Sequence, residues 1–187
     1  MSHYIELEVL PDPEFTPPVL MSALFSKLHR QLANEQWTDV GVSFPGYSTA
    51  PRSLGSVLRV HSTPQRLESL MATDWLRGLS EQTASSGINP VPADAEHRIF
   101  KRRQFKTNVE RLRRRRMKRH DETYEQAADA IPAKVEQTPS LPFLVLRSQS
   151  TRQRFHCFIE QSAPKNEPVP GTFNAYGLSD HATVPCF

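Results

Sequence analysis

Cysteine is scarce in this chain of 187 residues, which has only Cys157 and Cys186. The two form no Cys/His cluster with the spacing of a zinc site, and the glycine motifs of a P-loop or a Rossmann nucleotide site are missing. A disulfide is possible in principle, but the context is typical of a reduced, cytoplasmic protein. We therefore expect no metal and no cofactor.

Long apolar runs are also missing. No stretch approaches the ~20 apolar residues of a membrane span, and the mean hydropathy is −0.53. The first residues show no basic segment followed by an apolar one, so we expect no secretion signal. The composition predicts a soluble cytoplasmic protein with one large domain or two small ones.

Positive charge is concentrated in one stretch. Residues 98–119 hold twelve Lys or Arg and one acid, Glu110, although the formal charge of the whole chain is only +3. The first 94 residues hold six bases and ten acids. A mildly acidic half therefore precedes a half that is suited to bind phosphate.

The end of the basic stretch should form a helix at about 108–120, because Thr107 or Asn108 can cap it. At ~100° per residue, one face of this helix carries several cations: Arg111, Arg114, Arg115 and Lys118, with Arg119 at its edge. An exposed, solvated helix is the structural alternative. Apart from Glu110, four residues before Arg114, no acid at i±4 neutralises the arginines, which favours contact with a nucleic-acid backbone.

The first 94 residues predict a ferredoxin-like domain with the order β-α-β-β-α-β. Ile5, Leu7 and Val9 alternate with glutamates in the first strand, over residues 4–10. The other predicted elements are a helix opened by Pro17-Pro18, strands at 39–44 and 56–61, a helix capped by Thr63 whose apolar face extends to Trp75 and Leu79, and a strand around 88–91. The aromatic sheet motif of RNA-recognition modules is missing, so we expect no bases stacked across this sheet in the standard way.

Residues 95–187 predict a second, α/β domain that binds RNA and carries the arginine-rich helix, so the fold class is α+β. A short helix fits residues 121–130, and a polar, proline-containing linker runs to Pro142. Strands fit residues 143–147 and 154–160, and residues 171–179 are strand-like and end in a glycine turn.

Motifs along the whole chain resemble those of the type I-F CRISPR-associated endoribonuclease family, whose members are the repeat-processing subunits of the Csy complex. The motifs are P-D-P-E-F (11–15), F-S-K-L-H (25–29), G-V-S-F-P (41–45), R-x-Q (102–104), E-R-L-R-R-R (110–115), R-H-D (119–121), L-P-F-L-V-L-R-S-Q-S-T (141–151), Y-G-L-S (176–179) and the closing V-P-x-F. Each is weak alone, but their order and spacing together make a strong match. Val109 and Cys186 depart from the pattern.

The resemblance implies a specific activity. Such enzymes bind the hairpin of a CRISPR repeat transcript, cut once at the 3′ base of its stem and hold the product hairpin. The ribose 2′-hydroxyl attacks the scissile phosphate without a metal, which leaves a 2′,3′-cyclic phosphate and a 5′-hydroxyl. The implied partners are the precursor and mature CRISPR RNA and the other subunits of the type I-F surveillance complex, with no membrane.

The resemblance also assigns a candidate active site. His29 matches the catalytic histidine, and an imidazole can accept a proton near neutral pH. Ser148 matches a serine that holds the 2′-hydroxyl in line, and Ser150 could face the same side. Tyr176 matches a tyrosine beside the histidine. From the residues alone, a structural or exposed histidine is the more frequent interpretation of His29, and Tyr176 could equally be a packed strand aromatic. No Ser-His-Asp triad is recognisable.

RNA recognition is implied for two elements. Arg102 and Gln104 match a base-reading pair, and Phe155 matches an aromatic that stacks under the terminal base pair. The helix residues match phosphate contacts in the major groove: Arg111, Arg114, Arg115, Lys118 and Arg119. Ordinary surface polarity, or a core position for Phe155, is the structural alternative.

Two other functions fit parts of the sequence. A non-cleaving subunit that caps an RNA hairpin in a ribonucleoprotein would keep the arginine helix and Arg102. It would not need His29, Ser148 and Tyr176 together, so their joint presence favours the enzyme. A basic ribosomal or DNA-binding protein explains the helix but not the motifs along the whole chain.

Overall fold

The largest sheet is built around the alternating residues near the start of the chain. In a computed structural model, which describes residues 1–105, 109–133 and 139–187, strand β1 (His3–Val9) lies centrally in a five-stranded antiparallel sheet. The strand order is β2 (Gly41–Ser43), β5 (Val57–Ser62), β1 and β6 (Thr83–Ser85), and β7 (Asn89–Pro90) also pairs with β1. Strand β7 lies within the fourth strand predicted around 88–91, whereas β6 lies in the preceding stretch, where no strand was predicted.

Two helices pack their apolar faces against this sheet. Helix α1 (Pro17–Glu35) begins with two prolines, which fit the first turn because their missing N–H groups need no partner there. It ends at Gln36, whose φ of 54° is left-handed. Its buried apolar residues form one stripe: Leu20, Met21, Leu24, Phe25, Leu28 and Leu32.

Helix α2 (Pro64–Met71) is shorter than its apolar pattern predicts. Thr63 caps it as expected, accepting a hydrogen bond from the Arg66 N–H. The helix ends at Met71, so the extension to Trp75 and Leu79 was wrong. The Thr73 hydroxyl donates to the Leu70 carbonyl and competes with the backbone ladder, after which the chain continues as turns. Trp75 and Leu79 are nevertheless buried.

A second antiparallel sheet has the order β10 (Phe143–Arg147), β11 (Arg154–Gln161) and β9 (Phe100–Arg103). Leu144 and Leu146 face the core, and β10 has the predicted bounds. The strand lies beside α1: the Ser22 hydroxyl accepts a hydrogen bond from the Val145 N–H at 3.1 Å and donates to the Pro18 carbonyl at 2.8 Å. Two further pairs are β12 (Val184–Cys186) with β8 (Glu96–Arg98) and β3 (Ser48–Thr49) with β4 (Arg52–Ser53).

Residues 171–179 contain no strand, so the strand-like prediction was wrong. The Asn174 side chain accepts hydrogen bonds from the N–H groups of Tyr176 and Leu178, at 2.8 and 3.3 Å. Gly177 follows with a φ of 69°. An asparagine that bonds its own backbone and a left-handed glycine together stabilise a tight turn.

The chain divides into two compact units. The main unit consists of Met1–Arg103 and Leu141–Phe187, and the helical unit of Gln104–Ser140. The observed fold is mixed α+β with antiparallel sheets, as predicted for the class. The predicted domain boundary between residues 94 and 95 concerns independent folding and stays a prediction.

In the described part of the helical unit there are two helices. Helix α3 (Val109–His120) is observed where the arginine-rich helix is predicted, although its candidate caps Thr107 and Asn108 lie outside the described residues. Helix α4 (Tyr124–Ala130) begins with a capping box between Thr123 and Gln126, which satisfies two backbone donors at once. Among the residues that the structure describes, none of the helices has both the length and the apolar character that a membrane span requires.

Candidate active site

The orientation of His29 is fixed by a backbone carbonyl. Helix α1 presents this half-buried histidine to the turn at residues 174–177, where its Nδ1 lies 2.8 Å from the Ala175 carbonyl oxygen. A carbonyl only accepts hydrogen bonds, so Nδ1 must carry the proton. In the neutral imidazole Nε2 then holds the lone pair, and the ring is set to accept a proton through Nε2.

Tyr176 stacks on this imidazole. The two ring centroids are 3.8 Å apart and the ring planes differ by 8°. On its other side Tyr176 is stacked at 6.1 Å from Phe25, which belongs to the core. Burial raises the pKa of the Tyr176 phenol above its usual value, against the opposing effect of Arg102. The phenol is therefore neutral near pH 7 and acts as an apolar support for the imidazole.

Arg102 extends the same arrangement toward β11. Its guanidinium carbon lies 5.7 Å from the centre of the Tyr176 ring and 5.0 Å from that of Phe155, within the range of cation–π attraction. Its Nε is buried and has no hydrogen-bond partner among the described residues. Four predicted site residues that are far apart in sequence thus form one row: His29, Tyr176, Arg102 and Phe155.

Ser148 and Ser150 lie in the turn that joins β10 to β11. Their hydroxyl oxygens are 3.1 Å apart, and Ser148 Oγ accepts a hydrogen bond from the Thr151 N–H at 3.2 Å. The turn is closed by backbone hydrogen bonds, from the Ser148 N–H to the Gln153 carbonyl and from the Arg152 N–H to the Ser148 carbonyl, both 2.9 Å. Among the described residues neither serine is hydrogen-bonded to His29.

The cations of α3 fall into two groups. Arg113 and Arg116 pair within the helical unit, with Glu110 at 2.7 Å and with Glu122 at 2.7 Å. The predicted RNA-binding cations are all exposed: Arg111, Arg114, Arg115, Lys118 and Arg119. No ion pair within the described part of the chain involves Arg114, Arg115, Lys118 or Arg119. Gln104, also exposed, belongs to the helical unit, whereas Arg102 belongs to the main unit.

The two thiols are unreactive at neutral pH. Burial raises the pKa of both Cys157 and Cys186 to about 11, so each is protonated at neutral pH. A protonated thiol is a poor nucleophile and a poor metal ligand. Within residues 1–105, 109–133 and 139–187 no group of three or more His, Cys, Asp or Glu side chains is arranged to hold a metal ion.

Sequence reasoning missed the contribution of Ala175, because a backbone carbonyl leaves no mark on residue identity. An available signal was the segment Asn174-Ala175-Tyr176-Gly177, since asparagine and glycine at this spacing favour a turn. A turn exposes carbonyl groups that a paired strand would use within its sheet. Reading this segment as a strand therefore concealed the hydrogen-bond acceptor for His29.

Comparison with known proteins identifies the class and then the family. The chain matches a model of CRISPR-associated proteins over residues 4–187. The model is described as CRISPR-associated protein (Cas_Csy4), and because the match covers almost the whole chain, the chain belongs to this family.

Two curated relatives are similar over their entire length. A protein of Escherichia coli (strain UTI89 / UPEC) named CRISPR-associated endonuclease Cas6/Csy4 is 44% identical over 187 residues, which cover 100% of both chains. A protein of Pseudomonas aeruginosa (strain UCBPP-PA14) with the same name is 42% identical over 187 residues, again with 100% of both chains covered. The family assignment that the motifs predict is thereby confirmed.

Proposed function

We propose that this chain is the CRISPR endoribonuclease of a type I-F system. It binds the hairpin of the repeat transcript, cuts at the 3′ base of the stem without a metal, and stays bound to the product hairpin. The observation that carries the proposal is the hydrogen bond from His29 Nδ1 to the Ala175 carbonyl at 2.8 Å, with the imidazole stacked on Tyr176. This arrangement leaves Nε2 as a positioned general base. Two full-length relatives named as endonucleases support the same activity.

The reaction is an internal transfer at one phosphate. His29 Nε2 removes the proton from the 2′-hydroxyl upstream of the cut, and the 2′-oxygen forms a new bond to phosphorus. The bond from phosphorus to the 5′-oxygen of the next nucleotide breaks, and that oxygen takes up a proton. The products are a 2′,3′-cyclic phosphate and a 5′-hydroxyl, so atoms and charge balance without a further reactant.

Ser148 and Arg102 have supporting roles in this scheme. The Ser148 hydroxyl, fixed by the Thr151 N–H and by Ser150, holds the attacking 2′-hydroxyl in line with the leaving oxygen. Arg102 has a buried Nε without a partner among the described residues, which favours a contact that forms with the RNA. Its guanidinium fork fits guanine O6 and N7, and the Gln104 amide fits adenine N6 and N7.

Phosphate contacts come from the exposed cations of α3. Arg114, Arg115, Lys118 and Arg119 are exposed and unpaired within the described residues, and Arg111 is exposed on the same face. The major groove of A-form RNA is normally too narrow for side chains, but it opens at the ends of a short hairpin. Phe155, beside Arg102, stacks under the terminal base pair of the stem.

The main unit supplies a ferredoxin-like frame for this site. The antiparallel order β2-β5-β1-β6 with α1 and α2 supports that assignment, because it matches strands two, three, one and four of a βαββαβ plan. Membership in a CRISPR-associated family supports a cytoplasmic role, in which the chain works with CRISPR RNA and the other subunits of a type I-F surveillance complex.

Cleavage of a repeat hairpin in excess EDTA tests the proposal. The purified chain is incubated with an intact RNA and with a copy that carries one 2′-deoxyribose immediately before the cut. Cutting of the intact RNA alone supports internal attack without a metal. Tight binding without cutting of either RNA would instead identify a subunit that only caps the hairpin.

A further inference from the structure

Three arginines surround the turn that contains Ser148 and Ser150, and none of them has an acidic partner among the described residues. Arg147, Arg152 and Arg154 are exposed, and the segment 147–154, here named the arginine turn, contains no Asp or Glu. Within the described residues none of the three forms an ion pair. By contrast Arg103, also exposed and on the neighbouring strand β9, pairs with Glu160 at 3.0 Å.

The arrangement of these arginines is unfavourable without a ligand. Arg147 and Arg154 lie directly opposite each other on β10 and β11. Like charges at such cross-strand positions repel and destabilise a sheet. An added anion would turn this repulsion into attraction, so the pair is better explained by a bound phosphate than by the stability of the fold.

Arg152 adds a second unusual feature. Its φ of 57° is in the left-handed region, where side chains other than glycine and asparagine are strained. The backbone nevertheless needs this conformation, because the Arg152 N–H donates to the Ser148 carbonyl and its own carbonyl accepts from Arg147 Nε, both at 2.9 Å. The sequence thus keeps an arginine, and its charge, at a position that favours glycine.

The register of the strands indicates which part of an RNA would meet these charges. Leu146 pairs with Phe155, and the next pair toward the turn is Arg147 with Arg154. In the proposed function Phe155 closes the base of the stem. Ser148, which the proposed function places at the attacking 2′-hydroxyl, directly follows Arg147 and its carbonyl accepts the Arg152 N–H. The charges of this turn therefore lie beside the scissile bond, where the RNA strand continues past the cut.

We propose that the arginine turn is a binding site for the RNA phosphates on the 3′ side of the scissile bond. This inference rests on the proposed function and extends it: the chain has one contact surface for the retained hairpin and another for the strand that is released. Arg152 and Arg154 bind the phosphates through their side chains, while Arg147 also holds the turn. Loss of the downstream strand after cleavage removes this contact and leaves the hairpin contacts intact.

The test measures the binding of two uncleavable RNAs. Both carry the hairpin of the repeat from the CRISPR array nearest the gene, with a 2′-deoxyribose before the cut; one ends at the cut and the other continues for about five nucleotides. The expected result is tighter binding of the extended RNA by the unaltered chain, and a loss of that gain, about 10-fold at ~0.1 M salt, in the R152Q/R154Q variant. The salt slope for the extended RNA should fall by ~1.4, at ~0.7 per single-strand phosphate contact.

Matched variants make the result specific. R77Q removes an exposed charge elsewhere in the main unit and should keep the full gain. R152K/R154K keeps both charges and should bind the extended RNA within about 3-fold of the unaltered chain. Equal weakening on both RNAs, or a gain that survives in R152Q/R154Q, overturns the inference while the proposed function stands. Failure of the unaltered chain to bind either RNA overturns the proposed function as well.

Discussion

The imidazole of His29 and the phenol ring of Tyr176 lie parallel, with centroids 3.8 Å apart, although 146 residues separate His29 from the neighbouring Ala175 that fixes its Nδ1. Two contacts therefore hold one ring: a hydrogen bond sets its rotation and a stacked neighbour sets its plane. Both come from a single turn of the chain, so this turn and helix α1 must remain in register for the site to work.

Replacement of His29 with alanine should abolish cutting and spare binding. A positioned general base contributes roughly 10²- to 10⁴-fold in rate, so single-turnover cleavage should fall by at least ~100-fold. The affinity for an uncleavable hairpin should change by less than about 3-fold, because the imidazole is not among the cations that we propose to bind phosphate. A large loss of affinity would count against a purely catalytic role.

Two replacements of Tyr176 separate its ring from its hydroxyl. An aromatic pair contributes about 0.5–1.5 kcal/mol, so Tyr176→Ala should slow cleavage by ~2- to 10-fold through a less well held imidazole. Tyr176→Phe keeps the stacked ring and should cut at close to the unaltered rate. Single-turnover rates with saturating enzyme measure both; a defect in Tyr176→Phe equal to that of Tyr176→Ala would assign the role to the hydroxyl instead.

The two groups of arginines in α3 should respond differently to loss of charge. Arg115→Gln removes an exposed cation that has no ion pair among the described residues. It should lower the slope of log affinity against log salt by ~0.9, the value of one duplex phosphate. Arg116→Gln, on the same helix, breaks an ion pair with Glu122 and should leave the slope unchanged. Hairpin binding at several salt concentrations decides this, and equal slopes for both variants would contradict it.

His61 should make the fold sensitive to acid. It is fully buried beside Ser43, whose hydroxyl lies 2.8 Å from Nε2, and burial lowers the pKa of the imidazole to about 3. In the unfolded chain the imidazole of His61 takes up a proton near pH ~6.5, whereas in the folded chain it stays neutral at that pH. The stability advantage of a neutral His61 is therefore complete above that pH and is lost as the pH falls toward 3.

Urea unfolding of the unaltered chain and of His61→Gln between pH 7.5 and 4 measures this effect. Below pH ~6, the unfolding free energy of the unaltered chain should fall relative to that of His61→Gln by about 1.4 kcal/mol per pH unit. Ser43→Ala keeps the imidazole and should keep the pH dependence. A difference that is constant over this range would exclude His61 as the group responsible.

Arg59 should be more important for stability than its partner. Its buried guanidinium donates to Glu6 at 2.6 Å and to the Phe187 carbonyl at 2.9 Å, and lies 3.8 Å from the centre of the Phe187 ring. Arg59→Ala leaves these groups without their donor and should cost about 3 kcal/mol. Glu6→Gln keeps an acceptor on a side chain that is one-third exposed and should cost about 1 kcal/mol. Urea unfolding at pH 7.5 ranks the two, and the reverse order would be evidence against the central role of Arg59.

The sequence predicted best those elements that are determined by short-range pattern. A short apolar run predicted β10 at its observed bounds, and the paired prolines predicted the start of α1. The end of α2 was wrong because Trp75 and Leu79 continue a helical spacing while the backbone has already turned. Apolar residues at this spacing can be buried in the core whether the backbone is helical or forms turns. Hydrophobic spacing therefore did not distinguish the two conformations.

Sequence patterns did not predict the contacts between segments that are far apart in the chain. Arg102 lies near both Phe155 and Tyr176 only because β9 pairs with β11 and because residues 174–177 form a turn. Motif resemblance named these residues individually, but it gave neither the row they form nor the carbonyl that fixes His29. The roles of the site residues in binding and cleavage stay predictions until the variants above are measured.

The hydroxyl of Ser22 has a consequence for the behaviour of the protein in concentrated solution. Strand β10 is at the edge of its sheet, and an open edge offers backbone donors on which a strand of another molecule can add. Here the N–H at the middle of that edge, on Val145, is already bonded to helix α1. The contact that joins helix to strand inside the molecule thus also discourages edge-to-edge aggregation between molecules.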